Sequence, residues 1–520
     1  MGAAASAILR SVPPAVPPAV PPGAGIQTAT PDSAAKATHA AIEAEIARVE
    51  ALTKKKRAAL GKKYSNAEEL WQALDAGGGN ATLLLRASWL KEQRVEDGFR
   101  LPKRGTALPV EATITVAELR SIARKSRCQY GALPVIALSH FWRTKENPDP
   151  EGETAGLVIA ALGQHWKKGL GGWVKGVTDL GVIIDWCALW QEPRTPEQDA
   201  SFLSGLRGIN QWYAHQGTTV WLVTAGVDRV KGLSYWEKGW TSFEFALSMM
   251  IKPSNASIAK DWAQVVDLGR EKWFQVEFAR PKLSEPLAFF DGHKYGDKTY
   301  TNGADRDNIV APKFRETIFE VMGGVVVLHF GKLNWGDADV QALAVVLPLC
   351  RKLTELRLHV NGFGNAGMVA LASAMRARGS MAKLKTLDLS SNKIGDEGMK
   401  AFASTIASRS LENLQELRLD QNKIGDAGMT ALAGAIASGY MKELKMVYAF
   451  SNPVSDGPVR EACQARRGKI TTEYKARRNP RYNPRYDTLA PNGHERERQQ
   501  ARETPSRLNI ISEYLGTVRG

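Results

Sequence analysis

The chain predicts an α/β protein, a doubly wound parallel-sheet domain followed by a short solenoid of strand–helix units. Three observations carry this. Short, nearly continuous apolar runs alternate with helical stretches between about Gly131 and Val266; strands buried on both faces and joined by crossover helices read in that way. The last third repeats itself, with asparagines Asn361, Asn392, Asn422 and Asn452 spaced 31, 30 and 30 residues apart, a period that belongs to solenoids. Finally, 520 residues with 43% apolar content and 14 tryptophans exceed what one core holds and suggest about two to four domains.

Residues 1–34 contain "SVPPAVPPAVPPGAG", an Ala/Pro-rich composition that cannot bury a core and is expected to be disordered. They open on "MGAAAS", which fits the pattern for myristoylation at Gly2; an organelle transit peptide is the rival reading, since no acid precedes Asp32. One myristoyl chain binds membranes only marginally, so membrane association is expected only if Gly2 is modified. No window approaches the ~20 apolar residues that span a bilayer. Residues 35–130 form a helical region. Ile42, Ile46, Val49 and Leu52 recur at helical spacing, and "SNAE" places Ser65 and Glu68 as a capping box before Leu70 and Trp71.

Within the α/β segment, residues 131–280, "ALPVIALSH", "LGVIIDWCALW" and "TTVWLVTA" are the strands, rich in β-branched residues. Ligands of such sheets sit beyond the carboxyl ends of the strands. That singles out Ser139, His140, Trp142 and Arg143 after the first run, and Asp185 and Trp186 after the second. Taken singly, Trp142 and Trp186 could equally close the core. Residues 281–322, with "FFDGHKYGDKTYTNGADRDNIVAPKF" running through them, read as a connection. Asp291, Asp297, Asp305 and Asp307 could suggest a metal, and in a calcium loop counted from Asp305 Glu316 takes the twelfth place, but Ile309 and Val310 stand where a polar ligand and the turn glycine are needed, so no metal is expected.

In residues 323–465, "LTELRLHVNGFGNAGMVALASAM", "LKTLDLSSNKIGDEGMKAFASTI" and "LQELRLDQNKIGDAGMTALAGAI" align without gaps. The leucines of each unit, such as Leu384, Leu387 and Leu389, point into a core that one unit cannot fill, so units must stack. The asparagine satisfies buried backbone groups at the turn, Asp396 and Asp426 are placed as helix N-caps, and Met399, Phe402 and Ile406 face inward. This pattern resembles the ribonuclease-inhibitor type of leucine-rich repeat. The resemblance implies a concave face for protein recognition, on which Arg357, His359, Asp388, Ser390, Arg418, Asp420, Tyr448 and Phe450 point outward. Mixed charge ending in aromatics suits a protein partner better than a polyanion; the stack could also shield the α/β domain of its own chain.

The net charge of +15 is concentrated peripherally. Between Glu461 and Gly520 there are 13 Lys/Arg against 7 Asp/Glu, and "KKKR" stands at Lys54–Arg57. The tail, residues 466–520, reads as solvated, with an RNA or acidic-lipid site as the alternative. Cys128, Cys187, Cys350 and Cys463 show no paired spacing, which fits a reducing, cytoplasmic setting.

"VIALSHFW", "VIIDWCALWQ" and "YWEKGWTSFEFAL" resemble elements of heterokaryon-incompatibility and Toll/interleukin-receptor-like (TIR-like) domains. The resemblance covers about residues 133–266 and implies a TIR/flavodoxin-like sheet, self-assembly in some members, and a catalytic glutamate in the NAD-cleaving ones, with Glu244 as its counterpart and Ser139 and Trp240 near the nucleotide. From the residues alone, "TSFE" is also a capping box with Thr241 at the N-cap and Glu244 folding back. Both readings of Glu244 stand, as does a ligand-binding role without turnover. The function expected is protein recognition and signalling, needing no cofactor. The alternative is an NAD hydrolase controlled by the repeats, with NAD as substrate, and a nucleic-acid role ranks behind both.

Overall fold

The computed structural model describes residues 62–76, 81–126, 132–166, 177–252, 264–269, 298–300, 303–376, 381–466 and 470, all within one compact unit. Gly2 and the Ala/Pro-rich segment, the periodic residues Ile42–Leu52, the "KKKR" cluster, Cys128, Asp291, Asp297 and the basic tail after 470 lie outside the described residues.

The first sheet runs β1 (Leu85–Arg86), β3 (Gly181–Ile183), β2 (Val135–His140), β4 (Thr219–Val223), β5 (Val265–Asp267). All neighbours are parallel except the edge pair β1–β3. Alternate residues serve opposite faces, which explains the unbroken apolar runs. Val135, Ala137, Val220 and Leu222 pack on one side with Phe202, Leu206, Ile209 and Trp212 of the helix Pro196–Ala214. Ile136, Leu138, Val182 and Trp221 pack on the other with Ala155, Val158 and Leu162 of the helix Glu153–His165.

The helix Ala67–Leu74 starts one residue later than the sequence suggests. Asn66, not Ser65, is its N-cap and accepts from the Glu68 N–H, because the Asn carboxamide sits one position closer to the free donors. In the segment expected to be a connection, Ala311–Gly324 is helical, entered through a π turn at Arg306–Val310. Phe314, Ile318, Val321 and Met322 recur at helical spacing and are buried there. Phe314 meets Phe243 edge-to-face at 6.4 Å, and the same apolar cluster continues into the repeats.

The second sheet is β6 (Val327–His329), β7 (Glu355–Arg357), β8 (Thr386–Asp388), β9 (Glu416–Arg418) and β10 (Met446–Tyr448), parallel and in chain order. Leu384, Leu387, Leu389, Met399, Phe402 and Ile406 are buried as expected. The turn asparagines tie neighbouring units together: Asn422 Nδ2 donates to Leu389 O at 3.0 Å and Leu419 O at 3.1 Å, while its Oδ1 accepts from Ile394 N at 3.1 Å.

Asp396 is not the N-cap of its own helix; Gly395 is. Its Oδ1 accepts from Gly425 N at 2.7 Å and Gly428 N at 2.9 Å, capping the helix of the following unit. Asp337 does the same for Gly364 and Gly367, and Asn365 for Gly395 and Gly398. Asp426 is likewise the first helical residue behind Gly425, but the next unit carries Pro458, which has no N–H, where the second donor is needed. Asp396→Ala is expected to cost about 1 kcal/mol in urea unfolding. Asp396→Asn, which installs the group Asn365 uses one unit earlier, should retain most of it; equal loss in both variants would refute the cap.

Candidate functional site

The carboxyl ends of β2 and β3 bring together residues far apart in the chain. Ser139, last but one in β2, is fully buried; its Oγ donates to Glu244 Oε2 at 2.6 Å and lies 2.7 Å from the Tyr235 hydroxyl. Glu244 projects from the helix Gly239–Ser248 and is only 4% exposed. Burial pushes its carboxyl well above the usual range, and the nearby Asp185 charge adds to that, against the hydrogen bonds of Ser139 and Tyr213. Tyr213, from the helix Pro196–Ala214, also donates to Leu138 O at 3.1 Å. The Tyr235 hydroxyl reaches Thr241 O at 3.2 Å.

Every hydroxyl in this chain finds an acceptor: Ser139 donates to Glu244 Oε2, and Tyr235 can donate to Ser139 Oγ or to Thr241 O. The hydrogen bonds accommodate either protonation state of Glu244, and burial favours the protonated one.

The capping box at "TSFE" does not form. The helix starts at Gly239 with Lys238 at the N-cap, so Thr241 is already helical and its hydroxyl donates to the Tyr235 carbonyl, with the Lys238 carbonyl farther away at 3.3 Å. Glu244 points at the sheet instead of back along its own helix.

Beside this group, Asp185 Oδ1 lies 2.8 Å from His140 Nε2 and accepts from Trp186 N at 2.7 Å, and its Oδ2 accepts from Trp142 Nε1 at 3.0 Å. Burial opposes ionisation of Asp185, but its contact with the His140 ring and these hydrogen bonds outweigh it and hold the carboxyl below its ordinary value. His140 Nδ1 is buried with no partner among the described residues. Trp142 and Trp186 meet edge-to-face at 5.4 Å, and Trp186 Nε1 donates to Leu101 O. Burial, then the carboxylates Asp185 and Asp149, push the Cys187 thiol well up, away from a thiolate role.

Two predicted site residues stand apart. Arg143 is buried in an ion pair with Glu153 at 2.6 Å and stacks over Phe141. Trp240 donates its indole N–H to Asp305 at 3.1 Å. Asp305 is itself fully buried, and among the described residues no group of three or more His, Cys, Asp or Glu is placed to hold a metal ion. The sequence reading missed Tyr213 and Tyr235 as members of the Glu244 group. Tyr235 opens the same aromatic run as Glu244, whereas "QWYAH" around Tyr213 carries no signal of its own.

The repeat sheet offers a second surface. In register across β7, β8, β9 and β10 stand Arg357, Asp388, Arg418 and Tyr448, with His359, Ser390, Asp420 and Phe450 in the next outward row. Glu355 pairs with Arg357 and, at 2.9 Å, with His329; Glu416 pairs with Arg418 at 2.6 Å. Asp388 accepts from Ser390 Oγ at 2.6 Å and lies 3.6 Å from His359 Nδ1. The Arg418 guanidinium lies over the Tyr448 ring at 4.9 Å, and Tyr448 meets Phe450 edge-to-face at 6.5 Å.

Comparison with known families matches residues 349–372, 380–403 and 410–433 to a Leucine Rich repeat model. No curated protein matches the chain. The C-terminal region therefore carries leucine-rich repeats, which commonly mediate protein–protein contacts. No helix among the described residues is long and apolar enough to cross a membrane.

Proposed function

We propose that this is an intracellular recognition and signalling protein whose repeats, of the ribonuclease-inhibitor type, engage a protein partner through the concave face. The α/β segment 131–280 acts as effector or self-assembly module, with a TIR-like, doubly wound architecture. One observation carries the recognition role: Arg418 held over the Tyr448 ring beside Phe450, since interface energy concentrates in such Arg and aromatic anchors. For the α/β segment, the parallel strands taken in chain order run 2-1-3-4 across the sheet, in line with a flavodoxin-like winding. Arg418→Glu and Tyr448→Ala are each expected to weaken a purified partner about 30-fold or more, while Glu244→Gln leaves binding unchanged. Titration calorimetry with partners recovered from cells checks this, and unchanged affinity in both face variants would remove the repeats from recognition.

A second reading, NAD cleavage by Glu244, is favoured by the 2.6 Å bond that joins Ser139 and Glu244 across 105 residues of chain. Once ionised, a carboxylate so placed could stabilise an oxocarbenium-like transition state. It predicts NAD loss by concentrated wild-type protein and at least about a hundredfold less by Glu244→Gln at equal thermal stability. Equal turnover by the two proteins would sink it.

A further inference from the structure

The helix that carries Glu244 is tied at its start to the chain that enters the repeats. Thr299 N donates to Glu237 O at 2.8 Å and Thr299 O accepts from Gly239 N at 2.9 Å, so residues 298–300 pair with the backbone just ahead of the helix Gly239–Ser248. The Tyr300 ring lies against Gly239, where an added Cβ would come within 2.0 Å of it. One residue on, the Trp240 indole donates to Asp305 Oδ2. This tie is poorly compensated. Asp305 is fully buried, yet its Oδ1 and the nearby Tyr300 hydroxyl have no hydrogen-bond partner among the described residues. Burial pushes the Asp305 carboxyl up, against the hydrogen bond from Trp240.

Directly after Asp305 comes the π turn Arg306–Val310, closed by the Ala311 N–H on Arg306 O, five residues back. Such turns are rare and frequent at functional sites, and each takes up one residue more than α-helical pairing does. Relaxing this one to α-helical pairing would swing Asp305 about 100° around the axis of the helix Ala311–Gly324, away from Trp240. That helix touches both sides: Phe314 meets Phe243 of the Glu244 helix, Asn210 Nδ2 donates to Thr317 Oγ1, and the turn Leu347–Leu349 of the first repeat packs on it. We propose that Trp240 and Asp305 form a release latch with the π turn as its hinge. A displacement of the helix Ala311–Gly324 from the repeat side takes the turn into α-helical register, withdraws Asp305 and loosens the helix start one turn before Glu244. The device is a two-state element between the repeats and the Glu244 group, whichever activity that group has.

Amide hydrogen exchange of the full chain, followed by mass spectrometry, tests both parts. Trp240→Phe keeps an aromatic ring and removes the N–H; it is expected to speed exchange in residues 239–248 about tenfold while β2, β3 and β4 keep their protection. Deletion of the exposed Asp307 takes out the extra residue and leaves Asp305 in place on a plain α-helix, so exchange in residues 239–248 should slow by about tenfold. A merely structural contact gives no reason for that slowing. Unchanged exchange in Trp240→Phe would overturn the latch. Exchange that is unchanged or faster in the Asp307 deletion, locally or across the whole chain, would overturn the hinge.

Discussion

Asn422→Leu is expected to destabilise the repeat region by about 3 to 5 kcal/mol, since each buried backbone group left unpaired costs about 1 to 3 kcal/mol. Asn422 is only 6% exposed. Its carboxamide serves Leu389 O and Leu419 O, reaches Asp420 O at 3.3 Å, and accepts from Ile394 N. Leucine has similar bulk and no polar atom, so water cannot reach these groups and nothing else replaces the side chain. Asn392→Leu should cost less: Asn392 donates to Leu358 O, Leu389 O and Ser390 O, but its Oδ1 has no partner among the described residues. Urea unfolding of both variants checks the order. A loss under about 1 kcal/mol for Asn422→Leu would show that the asparagine ladder does not hold the stack.

Glu244→Ala is expected to cost about 2 to 4 kcal/mol, from a small cavity and from buried hydroxyls at Ser139 and Tyr213 that lose their carboxyl partner. Glu244→Gln keeps the shape and a donor–acceptor pair and should cost far less. The two side chains separate with pH. Burial raises the folded pKa of Glu244 above its unfolded value, so the folded state holds the proton more tightly. The contribution is fully present below about pH 4.3, the unfolded value, and is lost as pH rises toward the folded one, by up to about 1.4 kcal/mol per pH unit. Wild type should therefore lose stability against Glu244→Gln as pH rises above about 4.3. Parallel pH curves for the two proteins would mean that folding does not raise the Glu244 pKa.

Much of the fold was legible because its causes are local. β2, β3 and β4 announce themselves as apolar runs because both faces of those strands are buried, and the strand leucines and turn asparagines announce the repeats because each unit solves the same packing problem at the same spacing. The outward row from Arg357 to Phe450 follows from strand alternation alone. The helix Ala311–Gly324 was hidden by the Gly-, Asp- and Lys-rich residues before it, although Phe314, Ile318 and Val321 already have its period.

The sequence by itself determined which residues face the repeat core, which alternate with them along the strands, and that Glu244 stands among aromatics. Only the tertiary structure decided what those polar groups bond. Asp396 caps the next helix rather than its own, Glu244 meets Ser139 rather than the Thr241 backbone, and Trp240 turns to Asp305. The physical reason is common to all three. Apolar burial follows periodicity along one segment, whereas a buried polar side chain must find its partner wherever the fold leaves a donor or acceptor unpaired.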